Sequence, residues 1–212
     1  PYTTLFRSLQ PTTVQNLVKQ PNPQMAHGTI SLARATHLNM PARAPALACV
    51  PGGCNEAHEA LGGLNVLVNN PSGFGKTDDE AGWKLSIDID LMASVRGCWS
   101  AVPLIEKSGG GAIIHISSIS GLTQSQRTPP YGAVKAALNQ YTMTQALEFA
   151  PRSIRVNAIA PGSIYFDGGS WAQAKKTNPD LYESILASIP SGRYGTPEEV
   201  ASVAIFLASE RG

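Results

Sequence analysis

The sequence predicts an α/β fold, in which a doubly wound parallel sheet carries helices on both faces. Three apolar stretches, near residues 64–70, 111–117 and 153–160, alternate with helical patterns near 79–107 and 131–149. The apolar stretches are continuous rather than alternating, which indicates strands buried on both faces. A parallel sheet covered by helices satisfies that burial, and the β-α-β-α-β order supplies the crossover connections that parallel strands need.

The last helical pattern carries a complete start signal. Thr196 and Glu199 have the spacing of a capping box, and Pro197 takes the first helical position. Apolar residues then recur at helical spacing, at Val200, Val203, Ala204 and Leu207. We expect this helix to be mainly structural.

Candidate chemistry lies in a tyrosine and a lysine four residues apart. Tyr131 follows Pro129-Pro130 and opens an alanine-rich helical pattern, and Lys135 comes one turn later. Residues at this spacing lie one above the other, so the Lys135 ammonium can reach the neighbourhood of the Tyr131 hydroxyl. A nearby cation and the positive end of the helix favour the ionised tyrosine and lower its pKa from about 10. Tyr131 is therefore a candidate general acid or base.

A serine completes this arrangement. Ser118, thirteen residues before Tyr131, follows the β-branched run that begins at Gly111. Ligands of open parallel sheets bind at the carboxyl ends of the strands, where we expect this hydroxyl. Each part also has a simpler interpretation, because Ser117-Ser118 is typical of a turn and Tyr-x-x-x-Lys occurs by chance.

Three further segments support the functional interpretation. They are Leu64–Asn70, which ends in Asn-Asn, Ile154–Gly162, which ends in Pro-Gly, and Thr196–Val200 at a helix start. With these segments in this order, the chain resembles the classical short-chain dehydrogenase/reductase family over about residues 61–212. The resemblance implies a Rossmann-type sheet and an NAD(P)-dependent oxidoreductase, which transfers hydride reversibly between nicotinamide and a small-molecule carbonyl or alcohol.

The same resemblance implies roles for the three catalytic candidates. Tyr131 would pass the proton to or from the substrate oxygen, and Ser118 would hydrogen-bond that oxygen. Lys135 would depress the tyrosine pKa and bind the hydroxyls of the nicotinamide ribose.

Cofactor contacts follow from the resemblance too. Asn70 would line the adenosine side, and Pro161, Gly162 and the Ile164 backbone would meet the nicotinamide end. The acidic or basic residue that selects NAD or NADP is not identifiable in this sequence, so both cofactors stay open.

The chain departs from the family pattern at three places. Asp90 stands 28 residues before Ser118, where the family usually has an asparagine that holds a relay water. An ionised Asp90 would favour a protonated Lys135, although a solvated or capping aspartate is an equal alternative. Pro71 follows Asn70 and removes a backbone donor, and Phe166 stands where the family has a threonine.

Substrate selection is expected in residues 165–190, a polar and aromatic stretch that we predict as a helix pair forming a mobile lid. Its aromatic and apolar residues include Trp171, Tyr182 and Leu186, and Gln124, Ser125 and Gln126 would lie on the opposite rim. The alternative interpretation of Trp171 is that its side chain serves only for packing.

Assembly is expected through the two long helices, near 79–107 and 131–149, because relatives in the family form dimers and tetramers through this pair. A stripe of residues at helical spacing on the first helix comprises Trp83, Ile87, Leu91, Val95 and Trp99. We expect part of that stripe to be core.

The N-terminal quarter does not fit the family pattern. Residues 1–8 resemble the translated end of a sequencing adapter, and residues 9–60 are unassigned, either mis-framed or divergent. Residues 1–60 show no alternating strand and lack the family's glycine-rich phosphate-binding turn. Residues 56–63 have the pattern of a helix remnant with a glycine cap.

We also expect that the family's final strand is missing after Gly212. The predicted sheet is therefore incomplete at both ends, and the chain is interpreted as a fragment. Whether a fragment without the phosphate site folds, binds cofactor or is active stays open.

Two other classes of function stay open. Gly73-Phe74-Gly75-Lys76-Thr77 resembles part of a phosphate-binding loop, although Asn70 stands where its first glycine belongs. The other is a non-catalytic protein that keeps the fold as a cofactor sensor or interaction surface.

Composition and charge argue against several other classes of function. The formal charge of +1 without a Lys/Arg stripe argues against nucleic-acid binding, and no apolar run is long enough for a membrane span. Three cysteines favour reduced thiols in a cytoplasm, and Cys49, Cys54 and His58 match no zinc pattern.

Overall fold

The structure, a computed structural model, describes the backbone of residues 28–33 and, apart from the side chains of residues 53 and 60, residues 53–212. Its strands are β1 (Gly28–Ala33), β2 (Leu64–Asn70), β3 (Gly111–Ile116) and β4 (Ile154–Ile159). They pair in parallel in the order β1-β2-β3-β4. The sequence prediction of a parallel α/β sheet is therefore confirmed, and the bounds of β2 match the predicted strand at both ends.

The helices of the described segments follow the predicted alternation. They are α1 (Gly53–Leu61), α2 (Glu80–Leu85), α3 (Met92–Lys107), α4 (Pro129–Phe149), α5 (Ser170–Thr177), α6 (Pro179–Ser188) and α7 (Pro197–Ala208). A π-helix, Ser86–Leu91, joins α2 to α3, so the predicted helix near 79–107 is present but contains wider turns at its centre. Single 3₁₀ turns at Ile119–Gly121 and Ala150–Arg152 precede α4 and β4 respectively.

The sheet separates two apolar layers. On one face, side chains of β2, β3 and β4 pack against α1, α3 and α4, and the layer includes Leu67, Ile105, Ile113, Phe149 and Val156. On the other face, Val66, Val68, Ile114 and Ile116 pack against Ala204 of α7. Burial on both faces explains why these strands read as continuous apolar runs.

The expectation that residues 1–60 contain no strand is wrong for β1. Gly28-Thr-Ile-Ser-Leu-Ala33 pairs in parallel with β2, from Gly28 opposite Leu64 to Ala33 opposite Asn70. The neighbouring strand supplies the backbone hydrogen-bond partners, and a six-residue sequence pattern does not predict such pairing. The remaining sequence expectations for residues 1–52 lie outside the described residues.

The predicted helix remnant at residues 56–63 is confirmed as the end of α1. The Gly63 N–H donates to the His58 carbonyl at 3.0 Å, and the Gly62 N–H donates to the Glu59 carbonyl at 3.4 Å. Gly62 has φ +71°, the left-handed conformation that a helix-terminating glycine adopts readily.

The stripe on the first long helix divides into exposed and half-buried residues, and only part of it was expected to be core. Trp83, Ile87 and Trp99 are exposed, whereas Leu91 and Val95 are half-buried. The π-helix shifts the helical phase, so the buried face of α3 comprises other residues, Ala93, Cys98, Ala101, Val102 and Ile105. A stripe extrapolated through a regular helix therefore does not identify the most buried residues of α3.

The start of α7 confirms the predicted capping box. The Glu199 N–H donates to Thr196 Oγ1 at 3.4 Å, and the Thr196 N–H donates to Glu199 Oε2 at 2.8 Å. Val203 is exposed, but Ala204 packs on the sheet, so the helix has the expected structural role.

No helix in the described segments combines the length and apolarity that a bilayer crossing requires.

Candidate active site

The carboxyl edge of the sheet gathers most of the predicted site. The Ser117 N–H donates to the Ile159 carbonyl at 2.7 Å, and the Ile119 N–H donates to the Pro161 carbonyl at 3.1 Å. These bonds hold the ends of β3 and β4 together beyond the strands themselves. Ser118 therefore lies beside the segment that begins at Pro161, as parallel pairing predicts.

Ser118 leaves β3 in an extended conformation and begins the 3₁₀ turn. Its Oγ accepts a hydrogen bond from the Ser120 N–H at 3.1 Å, and the side chain is half-buried. A Cβ on Gly121 would lie 2.6 Å from the Lys135 carbonyl carbon, so only glycine permits this close approach of the turn to α4.

Tyr131 and Lys135 lie one turn apart near the N-terminus of α4, which Pro129 and Pro130 begin. The Lys135 Nζ lies 5.5 Å from the centre of the Tyr131 ring. Nζ also donates to the Ile116 carbonyl at 2.9 Å, and the Lys135 carbonyl accepts from Ser117 Oγ at 3.2 Å. The structure thus brings Ser118, Tyr131 and Lys135 to one corner of the sheet.

Lys135 is a buried cation, because only 1% of its surface is exposed. Burial lowers its pKa from 10.5 to about 8, and the opposing influence is the Asp90 carboxylate, which raises it. A lysine with this pKa changes its charge just above neutral pH.

Asp90 is fully buried in the π-helix, so the solvated alternative for this residue is wrong. Its Oδ1 accepts from the Gly73 N–H at 2.9 Å, and its Oδ2 accepts from the Phe74 N–H at 3.1 Å. Burial raises the pKa of this carboxyl, against the lowering effects of Lys135, Ser86 and the two N–H donors. Asp90 therefore caps a loop and faces Lys135 at the same time.

The capped loop follows Asn70 and Pro71. The Gly75 N–H donates to Ser86 Oγ at 3.1 Å, four residues before Asp90 on the π-helix. Three successive N–H groups of the loop, at residues 73–75, are thus directed to the protein's own oxygens. A phosphate-binding loop needs such groups for its ligand, so this geometry disfavours the nucleotide-cradle alternative for Gly73–Thr77.

The predicted cofactor residues lie at the end of β2 and after β4, the two strands that flank β3. Asn70 is half-buried at the end of β2, and Gly162 is exposed after β4. Ile164 forms a parallel bridge with Gly195, which fixes its backbone. The donor set here fits a nicotinamide ribose and carboxamide, because it combines a lysine ammonium, hydroxyls and backbone groups. The region expected to hold a pyrophosphate lies outside the described residues.

The predicted helix pair in residues 165–190 is confirmed as α5 and α6. Trp171 packs against Tyr194, with ring centres 5.4 Å apart, and Tyr182 stacks on Tyr194 at 4.8 Å. The Tyr194 hydroxyl donates to the Tyr182 carbonyl at 2.8 Å. Trp171 therefore has a packing role, and the aromatic cluster attaches the helix pair to the segment before α7.

Phe166, the replacement for a threonine, is 38% exposed. Two atoms of its ring lie 2.9 Å from the position that a Cβ on Gly169 would occupy, so the ring covers that glycine. On the expected opposite rim, Ser125 Oγ hydrogen-bonds Thr128 Oγ1 at 2.7 Å.

Sequence reasoning missed Phe74 as part of the site. Its ring meets the Tyr131 ring edge-on, with centres 4.9 Å apart. The available signal was a large aromatic residue between two glycines, directly after the strand that ends at Asn70. Ser86 was missed as well, because its partner is a backbone N–H eleven residues away.

Comparisons with known proteins identify the family of the chain. The profile of a family described as Enoyl-(Acyl carrier protein) reductase matches residues 49–212. Isoepoxydon dehydrogenase patN of Penicillium expansum is 40% identical over 153 residues, or 71% of this chain and 59% of the relative. The 2,5-dichloro-2,5-cyclohexadiene-1,4-diol dehydrogenase LinX of Sphingobium indicum is 36% identical over 159 residues, or 73% of this chain and 61% of the relative.

A solved structure adds a fold comparison. L-sorbose reductase from Gluconobacter frateurii, complexed with NADPH and L-sorbose, matches with a TM-score of 0.66 at 33% identity. The match covers 77% of this chain and 68% of that one. The chain spans about 60% of the length of the two curated relatives, which are covered to 59% and 61%.

The parallel sheet with helices on both faces is a Rossmann-type fold. The chain belongs to the short-chain dehydrogenase/reductase family, whose members are oxidoreductases acting on small molecules.

Proposed function

We propose that this protein transfers hydride reversibly between NAD or NADP and a carbonyl or alcohol carbon, with Tyr131 as general acid and base. The observation that carries the proposal is the buried Lys135 ammonium, 5.5 Å from the Tyr131 ring centre at the carboxyl edge of the sheet. Core packing alone does not call for a buried cation beside a tyrosine, because burial disfavours its charged form.

In the reducing direction, Tyr131 gives its hydroxyl proton to the substrate oxygen as the carbonyl becomes an alcohol. The Ser118 hydroxyl donates a hydrogen bond to the same oxygen and orients it. Lys135 favours the tyrosinate that results and would hold the nicotinamide ribose hydroxyls when the cofactor is bound. When bound, the nicotinamide supplies the hydride that the carbonyl carbon receives, and alcohol oxidation reverses these transfers.

Cofactor placement follows the strand ends. Asn70 would line the adenosine side, whereas Pro161, Gly162 and the Ile164 backbone would hold the nicotinamide end. The bridge between Ile164 and Gly195 supports this assignment, because a fixed backbone can present its polar groups to a carboxamide.

We further propose a hydroxylated small molecule as the substrate class. The support is that LinX is named as a dehydrogenase of a cyclic diol and that the sorbose reductase is complexed with L-sorbose. The helix pair α5–α6 would cover this substrate.

The oligomer proposed here is a homo-dimer or homo-tetramer formed through α3 and α4. These helices expose large apolar side chains, with 65% of Trp99, 61% of Met143 and 82% of Leu147 accessible to solvent. Apolar residues exposed to this degree on neighbouring elements are typical of interaction surfaces.

The test compares Tyr131→Phe with the unchanged chain. Energy transfer from tryptophan to NADH or NADPH measures binding, and absorbance of the reduced nicotinamide measures turnover of hydroxylated ketones. We expect Tyr131→Phe to bind cofactor normally and to lose roughly 10²–10⁴-fold in kcat, the usual contribution of a positioned proton-transfer group. Tyr141→Phe on the same helix is the matched control and should retain activity.

Two outcomes would contradict the proposal. Turnover that survives Tyr131→Phe would remove the catalytic assignment. A folded chain that binds cofactor without any turnover would favour the non-catalytic member of the family.

A further inference from the structure

The loop after β2 is held by a carboxylate in a way that constrains an aromatic side chain. Both oxygens of Asp90 accept backbone N–H groups, one from Gly73 at 2.9 Å and one from Phe74 at 3.1 Å. The next N–H, of Gly75, donates to Ser86 Oγ. Residues Ser86 and Asp90 both belong to the π-helix, the kind of local irregularity that frequently occurs at functional sites.

Phe74 has a backbone conformation that its side chain does not favour. Its φ of +55° lies in the left-handed region, which bulky residues occupy only when the surroundings impose it. The bonds to Asp90 and the close fit of the glycines impose it here. A Cβ on Gly73 would lie 2.8 Å from the Leu85 carbonyl oxygen, and one on Gly75 would collide with the Gly82 carbonyl.

The imposed conformation places the Phe74 ring against Tyr131. The two rings meet at an interplanar angle of 81°, the edge-to-face geometry that aromatic pairs prefer. The Lys76 Nζ lies 5.3 Å from the centre of the Phe74 ring. The ring therefore lies near both the Lys76 cation and the proposed proton-transfer residue.

Asparagine could not hold this loop in the same way. An ionised carboxylate offers only acceptors, whereas one end of an amide carries N–H donors. With two N–H groups approaching, an amide would accept one and oppose the other. The aspartate is thus matched to the loop conformation and not simply a variant of the family's asparagine.

We propose that Asp90 is a positioning residue, whose carboxylate fixes the left-handed Phe74 so that its ring sets the orientation of the Tyr131 phenol. Its catalytic consequence rests on the proposed function of Tyr131. The structural part of the inference is that the environment of Tyr131 depends on the Asp90 charge. This part does not rest on the proposed function.

Fluorine NMR of the chain labelled with 3-fluorotyrosine tests this structural part without cofactor or substrate. The sequence contains six tyrosines, and the resonance missing from Tyr131→Phe identifies the one of interest. We expect Phe74→Leu to shift the Tyr131 resonance by more than its linewidth, because the neighbouring ring is lost. Asp90→Asn should shift it in the same direction. Asp88→Asn, a neighbouring exposed carboxylate paired with Lys84 at 2.7 Å, should leave it in place.

Either of two results overturns the proposal. An unmoved resonance in Phe74→Leu would show that the rings do not meet in solution, and an unmoved resonance in folded Asp90→Asn would show that the charge does not position Phe74. If Asp90→Asn does not fold, Asp90→Glu replaces it, because the longer side chain displaces the charge and must move the loop. An unmoved resonance in that variant has the same meaning.

Turnover supplies a second readout that separates this inference from the proposed function. We expect Asp90→Asn and Phe74→Leu to lower kcat with cofactor binding unchanged. Phe74→Tyr keeps the ring and should keep the kcat of the unmodified chain. An unchanged kcat in Phe74→Leu would overturn the catalytic consequence. An unmodified chain without any turnover would refute the proposed function, and the resonance shifts would still decide the positioning role.

Discussion

The Lys135 ammonium lies 5.5 Å from the Tyr131 ring centre, one turn along the same helix, and is almost fully buried. Its Nζ donates to the Ile116 carbonyl, so the ammonium group links α4 to the end of β3. The ionisable groups around it are the Asp90 carboxylate on the π-helix, which raises its pKa, Tyr131 on α4, and His115 on β3, whose own pKa the cation lowers.

The first prediction concerns the alkaline limb of the pH profile. Burial lowers the Lys135 pKa to about 8, so a rise of pH through that value removes the cation that supports the Tyr131 tyrosinate. We expect kcat/KM to fall as the pH rises above about 8. Because Asp90 raises the Lys135 pKa, Asp90→Asn should move this limb to lower pH. Asp88→Asn should leave it unchanged, and a limb at the same pH in all three proteins would contradict the coupling.

The second prediction concerns acid stability and His115, which is fully buried on β3. Its Nδ1 lies 3.2 Å from the Asn69 amide nitrogen, and its Nε2 lies 2.9 Å from Gln145 Oε1. A protonated ring needs two acceptors, whereas these neighbours offer a donor and an acceptor. Burial lowers the His115 pKa from 6.5 to about 4, which keeps the ring neutral in the folded state.

Between these two pKa values, the unfolded chain binds a proton that the folded chain does not. The stabilising effect of neutral His115 is therefore present above pH 6.5 and lost as the pH falls to about 4. The loss should reach the order of 2–3 kcal/mol in the free energy of unfolding. Urea unfolding between neutral and acid pH measures it, and His115→Asn should flatten the dependence relative to His58→Asn. Equal pH slopes in the two variants would refute it.

The third prediction concerns the cap of α7. Thr196 Oγ1 accepts from the Glu199 N–H, so Thr196→Ala removes that hydrogen bond and leaves the N–H only its bond to the Thr196 carbonyl at 3.2 Å. We expect a loss of about 1 kcal/mol in the free energy of unfolding, whereas Thr196→Ser should be neutral because serine caps equally well. Urea unfolding measures both. Equal losses in the two variants would show that the hydroxyl bond is not the stabilising contact.

Local signals in the sequence predicted those elements whose stability is determined locally. Thr196 and Glu199 predicted a helix start, and the buried run Leu64–Asn70 predicted a central strand. β1 was missed because its partner lies over thirty residues away, and pairing supplies what its short pattern lacks. The buried face of α3 was missed for a different reason, since a π-helix changes the helical phase without a recognisable sequence signal.

In the site too, local features were predictable from the sequence and contacts between distant segments were not. The spacing of Tyr131 and Lys135 predicted their proximity, because one helix fixes both side chains. The partner of Asp90 was not predictable, since a backbone N–H in another segment carries no sequence signature. The contact of Phe74 with Tyr131 depends in turn on that bond. Chemistry within one helix was therefore predictable, and chemistry shared between loops required the structure.

The last prediction concerns the proposed oligomer. Leu147 and Met143 lie four residues apart on α4 and share one exposed face, with 82% and 61% of their surfaces accessible. Because Leu147 makes little contact within the chain, Leu147→Glu should change the free energy of unfolding by no more than about 0.5 kcal/mol. A charge at an apolar interface is strongly disfavoured, so sedimentation should show a mass of at most half that of the unchanged protein. Phe206→Glu, at a 52% exposed apolar residue on α7, is the matched control and should leave the mass unchanged. Dissociation by Phe206→Glu alone would instead locate the interface on α7, and an unchanged mass in both variants would exclude both faces.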